Sequence, residues 1–253
     1  MKFEESPSLA REQAILDAVR AGKATIEWFE IVLSPDLTIE VSNPVMIDGV
    51  FVATTSRTAQ YIADYFDASL MTERINDILY ENATIKLPPF FQTADAHMGD
   101  WSRVELHSAT IVTVVGGRNE LFAPAAKHWI LARDLWRKPF CAALQGWQVP
   151  TVDCSLNPKD GYFYYKGIKT YPSTAPHARN IQLLSFAHNC GTSKVLGHVD
   201  YAMFVRLWKV KGDKTRKQVL SDPVLCQLVS KEGPLQDSRH PGVPEDTSWI
   251  AQS

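Results

Sequence analysis

The chain has 253 residues, 45% of them apolar and 21% charged, an ordinary globular composition that argues against disorder. Its 26 basic and 28 acidic residues leave a formal net charge of −2, without the basic excess of a protein that grips a nucleic-acid backbone. The four cysteines, Cys141, Cys154, Cys190 and Cys226, form no CxxC pair, are too sparse for a disulfide scaffold and read as reduced thiols.

A chain of this length can bury roughly 70–75% of its unfolded surface in one core. The first residues, MKFEESPSLAREQ, lack the apolar stretch of a signal peptide, and no apolar run approaches the ~18 residues of a membrane span. The expectation is a cytoplasmic protein with no membrane partner, although a phage lysin or an injected effector would share these features.

Taken in chain order, Ser6-Pro7 reads as the start of a helix whose stripe is Leu9, Ile15, Leu16 and Val19, ended by Gly22. TIEWFEIVL and LTIEV read as two strands around Pro35-Asp36, and VMIDGVFVATT as a hairpin around Asp48-Gly49. Ala59, Ile62, Ala63 and Phe66 predict a second helix. Met71, Ile75, Ile78 and Leu79 predict a third, with Thr72 as its cap. LPPFFQTADAHMGDW breaks both periods and reads as a long loop.

From Val104 the chain reads as β-rich. The expected strands are HSATIVTVV, HWILA, FCAAL, GYFYYKG, IQLLSFA and VDYAMFVRLWKV. The basic run Lys209, Lys211, Lys214, Arg216 and Lys217 reads as a solvated loop. Asp222-Pro223 opens a last helix through Val224, Leu225, Leu228 and Val229, which Gly233-Pro234 stops. Helices first and strands second predict an α+β fold, with N-terminal helices and hairpins packed on a mainly antiparallel β-sheet. The expected division is one globular domain over 1–232 and an extended tail over 233–253.

Phosphate-cradling loops (GxxxxGK[ST], GxGxxG) and the HExxH, GxSxG and SxxK motifs are absent from the sequence. The densest chemistry lies in FAHNCGTSKVLGHVD. There His188 and Cys190 share one face of a strand, as do His198 and Asp200, and Gly191 and Gly197 bracket the connection. If the two strands pair as a hairpin, the four side chains converge. Imidazole, thiolate and carboxylate suit zinc. They equally suit a thiol site in which a histidine takes the thiol proton and a carboxylate orients the ring. A hairpin end with hydrogen-bonded histidines and a buried thiol is the third alternative.

Cys141, beside Arg137 and Lys138 in sequence, is a second candidate thiolate, or an inert thiol in an apolar strand. Asp95, His97 and Asp100 of DAHMGD can bind a divalent ion or do acid–base work, or they form turns. His107 is expected to open a strand, His128 precedes Trp129, and the tyrosines of GYFYYKGIKTY read as a hairpin with an aromatic face.

Several segments together resemble a family of bacterial proteins that has no established activity. The matching segments are AQYIADYFDASLMTERINDILYENATIKLPP, GGRNELFAPAAKHWIL, QGWQ, IQLLSFAH and HVDYAM, in the family's order over roughly residues 25–210. The family's own motifs there include YGWH, a strand like IQPL, a histidine and DYS. The resemblance points to His107, Gly146, Trp147, His188, Asp200 and Tyr201 as site positions. Two departures stand out: Gln148 replaces the histidine of YGWH, and Ala202 the serine of DYS.

These readings converge on a hydrolase of amide or peptide bonds, with cell-wall peptides as the substrate class. His188 or His198 is its base or ligand, Asp200 its orienter or ligand, and Cys190 or Cys141 its thiolate. Trp147, Tyr201 and His107 line the pocket. Zinc bound by His188, Cys190, His198 and Asp200 is the cofactor this set allows. The alternative is a non-catalytic binding or structural module, such as a virion or assembly component. The sequence leaves the oligomeric state open.

Overall fold

The computed structural model describes residues 2–87, 90, 92–93, 95–123, 127–131, 140–145, 154–157, 159, 162–165, 168–172, 181–183, 199, 201–230 and 234. Of the strand side chains between 127 and 183, only that of Trp129 is among them.

The first helix, α1, runs Leu9–Arg20, and its cap is Ser8 rather than Ser6. Ser8 is extended, and its Oγ accepts the Arg11 backbone N–H at 3.0 Å, so Pro7 lies before the cap. Strand β1 (Ala24–Thr25) is followed by the ribbon β2 (Trp28–Ser34) and β3 (Leu37–Ser42), antiparallel around Pro35-Asp36. The small hairpin β4 (Met46–Ile47) and β5 (Val50–Phe51) turns at Asp48-Gly49. Both turn residues have positive φ, 49° and 81°, as a type I′ turn requires. Helix α2 (Ser56–Tyr65) is capped by Thr55, and α3 (Glu73–Asn82) by Thr72. Between them lies β6 (Ser69–Thr72), too short to show a period in the sequence. β7 (Ile85–Lys86) follows.

The segment expected to be a strand from His107 is a helix, α4, spanning Trp101–Val115. Its buried residues are Trp101, Val104, His107, Ser108, Ile111 and Val115, a helical stripe. The β-branched run TIVTVV has strand propensity, but burial of that stripe against β5 and the core overrides it. Asp100 is its N-cap, and Gly116 closes it in the left-handed conformation at φ 66°.

The remaining strands are β8 (Phe122–Ala123), β9 (Lys127–Leu131), β10 (Phe140–Gln145), β11 (Cys154–Asn157), β12 (Tyr162–Tyr165), β13 (Ile168–Pro172), β14 (Ile181–Leu183), β15 (Met203–Phe204) and β16 (Leu207–Lys211). The expected tyrosine hairpin is present as β12 and β13, with β11 added at its edge. The basic run is not all loop. Thr215 and Gln218 make a capping box for α5 (Arg216–Ser221), which α6 (Cys226–Val229) follows. Lys209 pairs with Glu40 at 3.2 Å and Lys211 with Glu30, so this run carries its own counter-charges.

The central sheet has the order β14-β10-β9-β6-β16-β3-β2, with β15 also pairing β9. Most of its pairs are antiparallel; β6 and β15 run parallel to β9. The fold is therefore α+β. Leu70 and Leu207 belong to one apolar cluster and their neighbours Met71 and Trp208 to the other, as a strand period of two demands. Helices α1, α2 and α4 feed the first cluster; α3, α5 and α6 feed the second. Among the described residues, no helix is long and apolar enough to cross a membrane.

Arg206, fully buried at the head of β16, joins these parts. Its Nη2 donates to the Phe122 carbonyl at 2.7 Å and its Nη1 to the Ser42 carbonyl at 3.3 Å, and the guanidinium lies 5.0 Å from the Phe122 ring centroid. Burial holds its pKa well below the ordinary value. Arg206→Ala removes both donors and leaves a cavity. It is expected to cost about 3 kcal/mol in urea unfolding, with Arg206→Lys recovering only part because an ammonium cannot span two carbonyls as a fork does. A loss below about 0.5 kcal/mol for the alanine variant would remove this arginine from the account.

Candidate functional site

Three chain segments meet at Gly99. A Cβ there would lie 2.5 Å from Pro7 Cγ and 2.5 Å from the Val199 carbonyl oxygen, so only glycine fits. The buried Arg11 of α1 fixes the first contact. Its Nη1 donates to the Gly99 carbonyl at 2.8 Å and the Glu5 carbonyl at 2.9 Å, and its guanidinium lies 5.9 Å from the Trp101 ring centroid. The Trp101 backbone N–H donates to the Glu5 carbonyl at 2.7 Å. The third segment enters through Tyr201, whose backbone N–H donates to the Met98 carbonyl at 2.7 Å. The DAHMGD loop and the end of the HVDY segment, far apart in sequence, therefore pack on each other.

Tyr201 is 6% exposed, and its hydroxyl accepts the Gln92 backbone N–H at 3.0 Å. Its ring meets His107 of α4 edge-on, with centroids 5.0 Å apart at 72°. The His107 ring also packs on Phe204 at 5.4 Å and Phe90 at 6.3 Å. His107, expected on a strand, thus faces inward from a helix. Neither residue lines a described cleft; both are held in the core beside the junction.

The loop side chains divide. Asp95 behaves as a turn residue, accepting the His97 backbone N–H at 2.8 Å and the Arg103 guanidinium at 2.6 Å. The backbone donor first, and then Arg103, hold its carboxyl below the usual carboxylate range. His97 places Nδ1 2.9 Å from Asp100 Oδ2 and leaves 70% of its side chain exposed. An imidazole oriented by a carboxylate, with its second nitrogen in solvent, can move a proton. Among the described residues, no group of three or more His, Cys, Asp or Glu could hold a metal ion.

His188, Cys190, His198, Asp200 and Trp147 lie outside the described residues, and so does the side chain of Cys141. The backbone of Cys141 lies in β10, opposite Ile130 of β9. The described strands on either side of the FAHNCGTSKVLGHVD stretch do not pair as the expected hairpin. β14 adds to β10 antiparallel and β15 adds to β9 parallel, which makes β14 and β15 parallel to each other with two strands between them. The connecting segment 184–198, which carries His188, Cys190 and His198, lies outside the described residues.

Two clefts escaped the sequence reading. One, of about 310 Å³, lies between α1 and α2 and is lined by Glu12, Gln13, Arg20, Thr55, Arg57 and Tyr61 among others. In it Glu12 is buried, and one carboxylate oxygen accepts the hydroxyls of Thr54 and Thr55 and the Thr55 backbone N–H. The only sequence signal for this was a threonine pair before a helix. The other cleft, of about 270 Å³, has apolar walls from Ile26, Met46, Phe51, Val112, Val115 and Phe122.

Two tests probe the junction. Gly99→Ala is expected to lose about 1–3 kcal/mol in chemical denaturation, because the new methyl meets backbone. A stability unchanged within about 0.5 kcal/mol would mean that the three segments are not in close contact. Burial, first among its causes, raises the Tyr201 phenol above its ordinary 10.0, and burial does the same to Tyr80. Above pH 10.0 the unfolded chain loses these protons while the folded chain keeps them, so stability present below that value falls as pH rises. Urea midpoints in the alkaline range should therefore decline more steeply for the wild type than for Tyr201→Phe; parallel declines would contradict the burial of Tyr201.

No protein-family model, no curated protein and no solved structure matches the chain.

Proposed function

We propose that the chain is a hydrolase of amide or peptide bonds, with cell-wall peptides as its substrate class and its site around the segment that ends in Val199 and Tyr201. One observation carries this reading. His107 and Tyr201, both nominated by the family resemblance and far apart in sequence, have their rings 5.0 Å apart. Tyr201 is held at its backbone, its hydroxyl and its ring, the rigid support a neighbouring reactive group needs.

In this reading His188 or His198 takes the proton of the Cys190 or Cys141 thiol, and Asp200 orients the imidazole. The thiolate attacks the carbonyl carbon and the C–N bond breaks. The imidazolium returns its proton to the leaving amine, and water then hydrolyses the thioester to free the acid and regenerate the thiol. Zinc is the cofactor the same residue types could hold, and it would supply an activated water. Trp147 flanks the substrate.

A second reading, a non-catalytic binding or assembly module, is favoured by the burial of His107 and Tyr201 and by Gln148 and Ala202 standing where the resembled family has histidine and serine.

The experiment is digestion of purified cell-wall stem peptides, with reductant and with or without added zinc, followed by mass spectrometry. Hydrolysis should add one water per cut, and Asp200→Asn and the combined His188→Ala, His198→Ala variant should each lower the rate by about a hundredfold or more with circular dichroism unchanged. No cut in either condition, or cuts that survive both substitutions, would contradict the hydrolase reading and leave the module reading.

A further inference from the structure

The cleft between α1 and α2 carries two opposite charges in its wall, Glu12 and Arg57, that do not pair with each other. Glu12 is 7% exposed, and its Oε2 already takes the hydroxyls of Thr54 and Thr55 and the Thr55 N–H. Its other oxygen, Oε1, is buried and, among the described residues, has no hydrogen-bond partner. A bare acceptor in a buried carboxylate is costly, and a donor that reaches it gains correspondingly.

The other polar side chains nearby are occupied. Arg11, the neighbour of Glu12 in α1, donates to the Glu5 and Gly99 carbonyls. Arg20 pairs with Asp17 at 2.9 Å, and Gln13 donates to the same carboxylate at 2.8 Å. Arg57 is different. It is half-buried in the first turn of α2, and among the described residues its guanidinium makes no hydrogen bond or ion pair. It lies 5.8 Å from the Tyr61 ring centroid, a contact that leaves its N–H fork unused. Leu9 and Leu16 of α1 give the same cleft an apolar part.

We propose that this cleft binds a small zwitterion of the α-amino-acid class, with its ammonium on Glu12, its carboxylate on Arg57 and an apolar side chain against Leu9 and Leu16. Each end of the ligand supplies what one wall residue lacks. An ammonium brings donors to an acceptor that has none, and a carboxylate accepts two parallel bonds from a planar guanidinium. A simple cation would leave Arg57 unmet, and a simple anion would face the Glu12 carboxylate. The volume, about 310 Å³, suits a ligand at the small end of the range. None of these residues serves in the hydrolase reading, so the two proposals stand or fall separately.

The test is titration of the isotope-labelled full chain with L-leucine, read from amide shifts in two-dimensional NMR. Saturable shifts at the Glu12, Thr55 and Arg57 amides are expected, with a dissociation constant on the order of 0.1 mM. N-acetyl-L-leucine lacks the ammonium and L-leucinamide the carboxylate, so each should bind at least about tenfold more weakly. Glu12→Gln should weaken L-leucine by about tenfold or more. Because Glu12 also holds Thr55, Arg57→Gln is the second variant, outside that network, and should weaken L-leucine by about as much with circular dichroism unchanged. No saturable shift up to about 10 mM L-leucine would overturn the proposal. So would equal binding of either analogue, shifts centred away from this cleft, or binding indifferent to Arg57→Gln.

Discussion

The segment from Tyr201 to Lys211 bonds backbone groups of several elements around it. Tyr201 bonds the Met98 carbonyl, and Met203 and Phe204 pair with β9. The Val205 carbonyl accepts from Val45 at 2.9 Å and its N–H donates to Val52 at 3.1 Å. Leu207 donates to the Ser42 hydroxyl, and Trp208 Nε1 reaches the Leu70 carbonyl. Leu207–Lys211 then lies between β6 and β3. An unpaired buried N–H or carbonyl costs about 1–3 kcal/mol, so a shift of this segment by one residue would disturb several elements together.

Two buried cations are held by main-chain acceptors from other segments. Arg206 and Arg11 sit where chain segments cross, and each donates to main-chain carbonyls and lies over an aromatic ring. Desolvation lowers the pKa of both, and for Arg11 the charges of Glu12, Asp100, Glu5 and Glu4 oppose it. In Arg206 the planar fork meets two carbonyls from different strands at once. The same logic ties the nominated site to the core: Tyr201 is placed by the Met98 and Gln92 backbone, which in turn hangs on the Gly99 junction that Arg11 fixes.

Where apolar spacing was unambiguous, the sequence could be read. α2 and α3 emerge from Ala59, Ile62 and Ala63 and from Ile75, Ile78 and Leu79, and Asp48-Gly49 announces its hairpin. α4 could not be read the same way, because TIVTVV has the composition of a strand and only the burial of Val104, His107, Ile111 and Val115 reveals the helical period. α5 was hidden by its basic residues Arg216 and Lys217, although Thr215 and Gln218 stood at capping-box spacing. The closeness of His107 and Tyr201 depends on a long-range packing of α4 against the Tyr201–Phe204 segment that no local pattern encodes. The parallel relation of β14 and β15 likewise follows from which edges β9 and β10 left open, not from the turn residues between them.

The two faces of α4 differ in what surrounds them. The inner face of α4 carries His107 to Tyr201, and its outer face leaves Leu106 exposed. The central claim, that Tyr201–Lys211 is held as one unit with the core strands, is tested most directly by native-state hydrogen exchange. The account predicts that the Tyr201 and Val205 amides exchange only through global unfolding, with the same denaturant dependence as the amides of β16. Exchange of the Tyr201 amide through a local opening, while β16 stays protected, would contradict it.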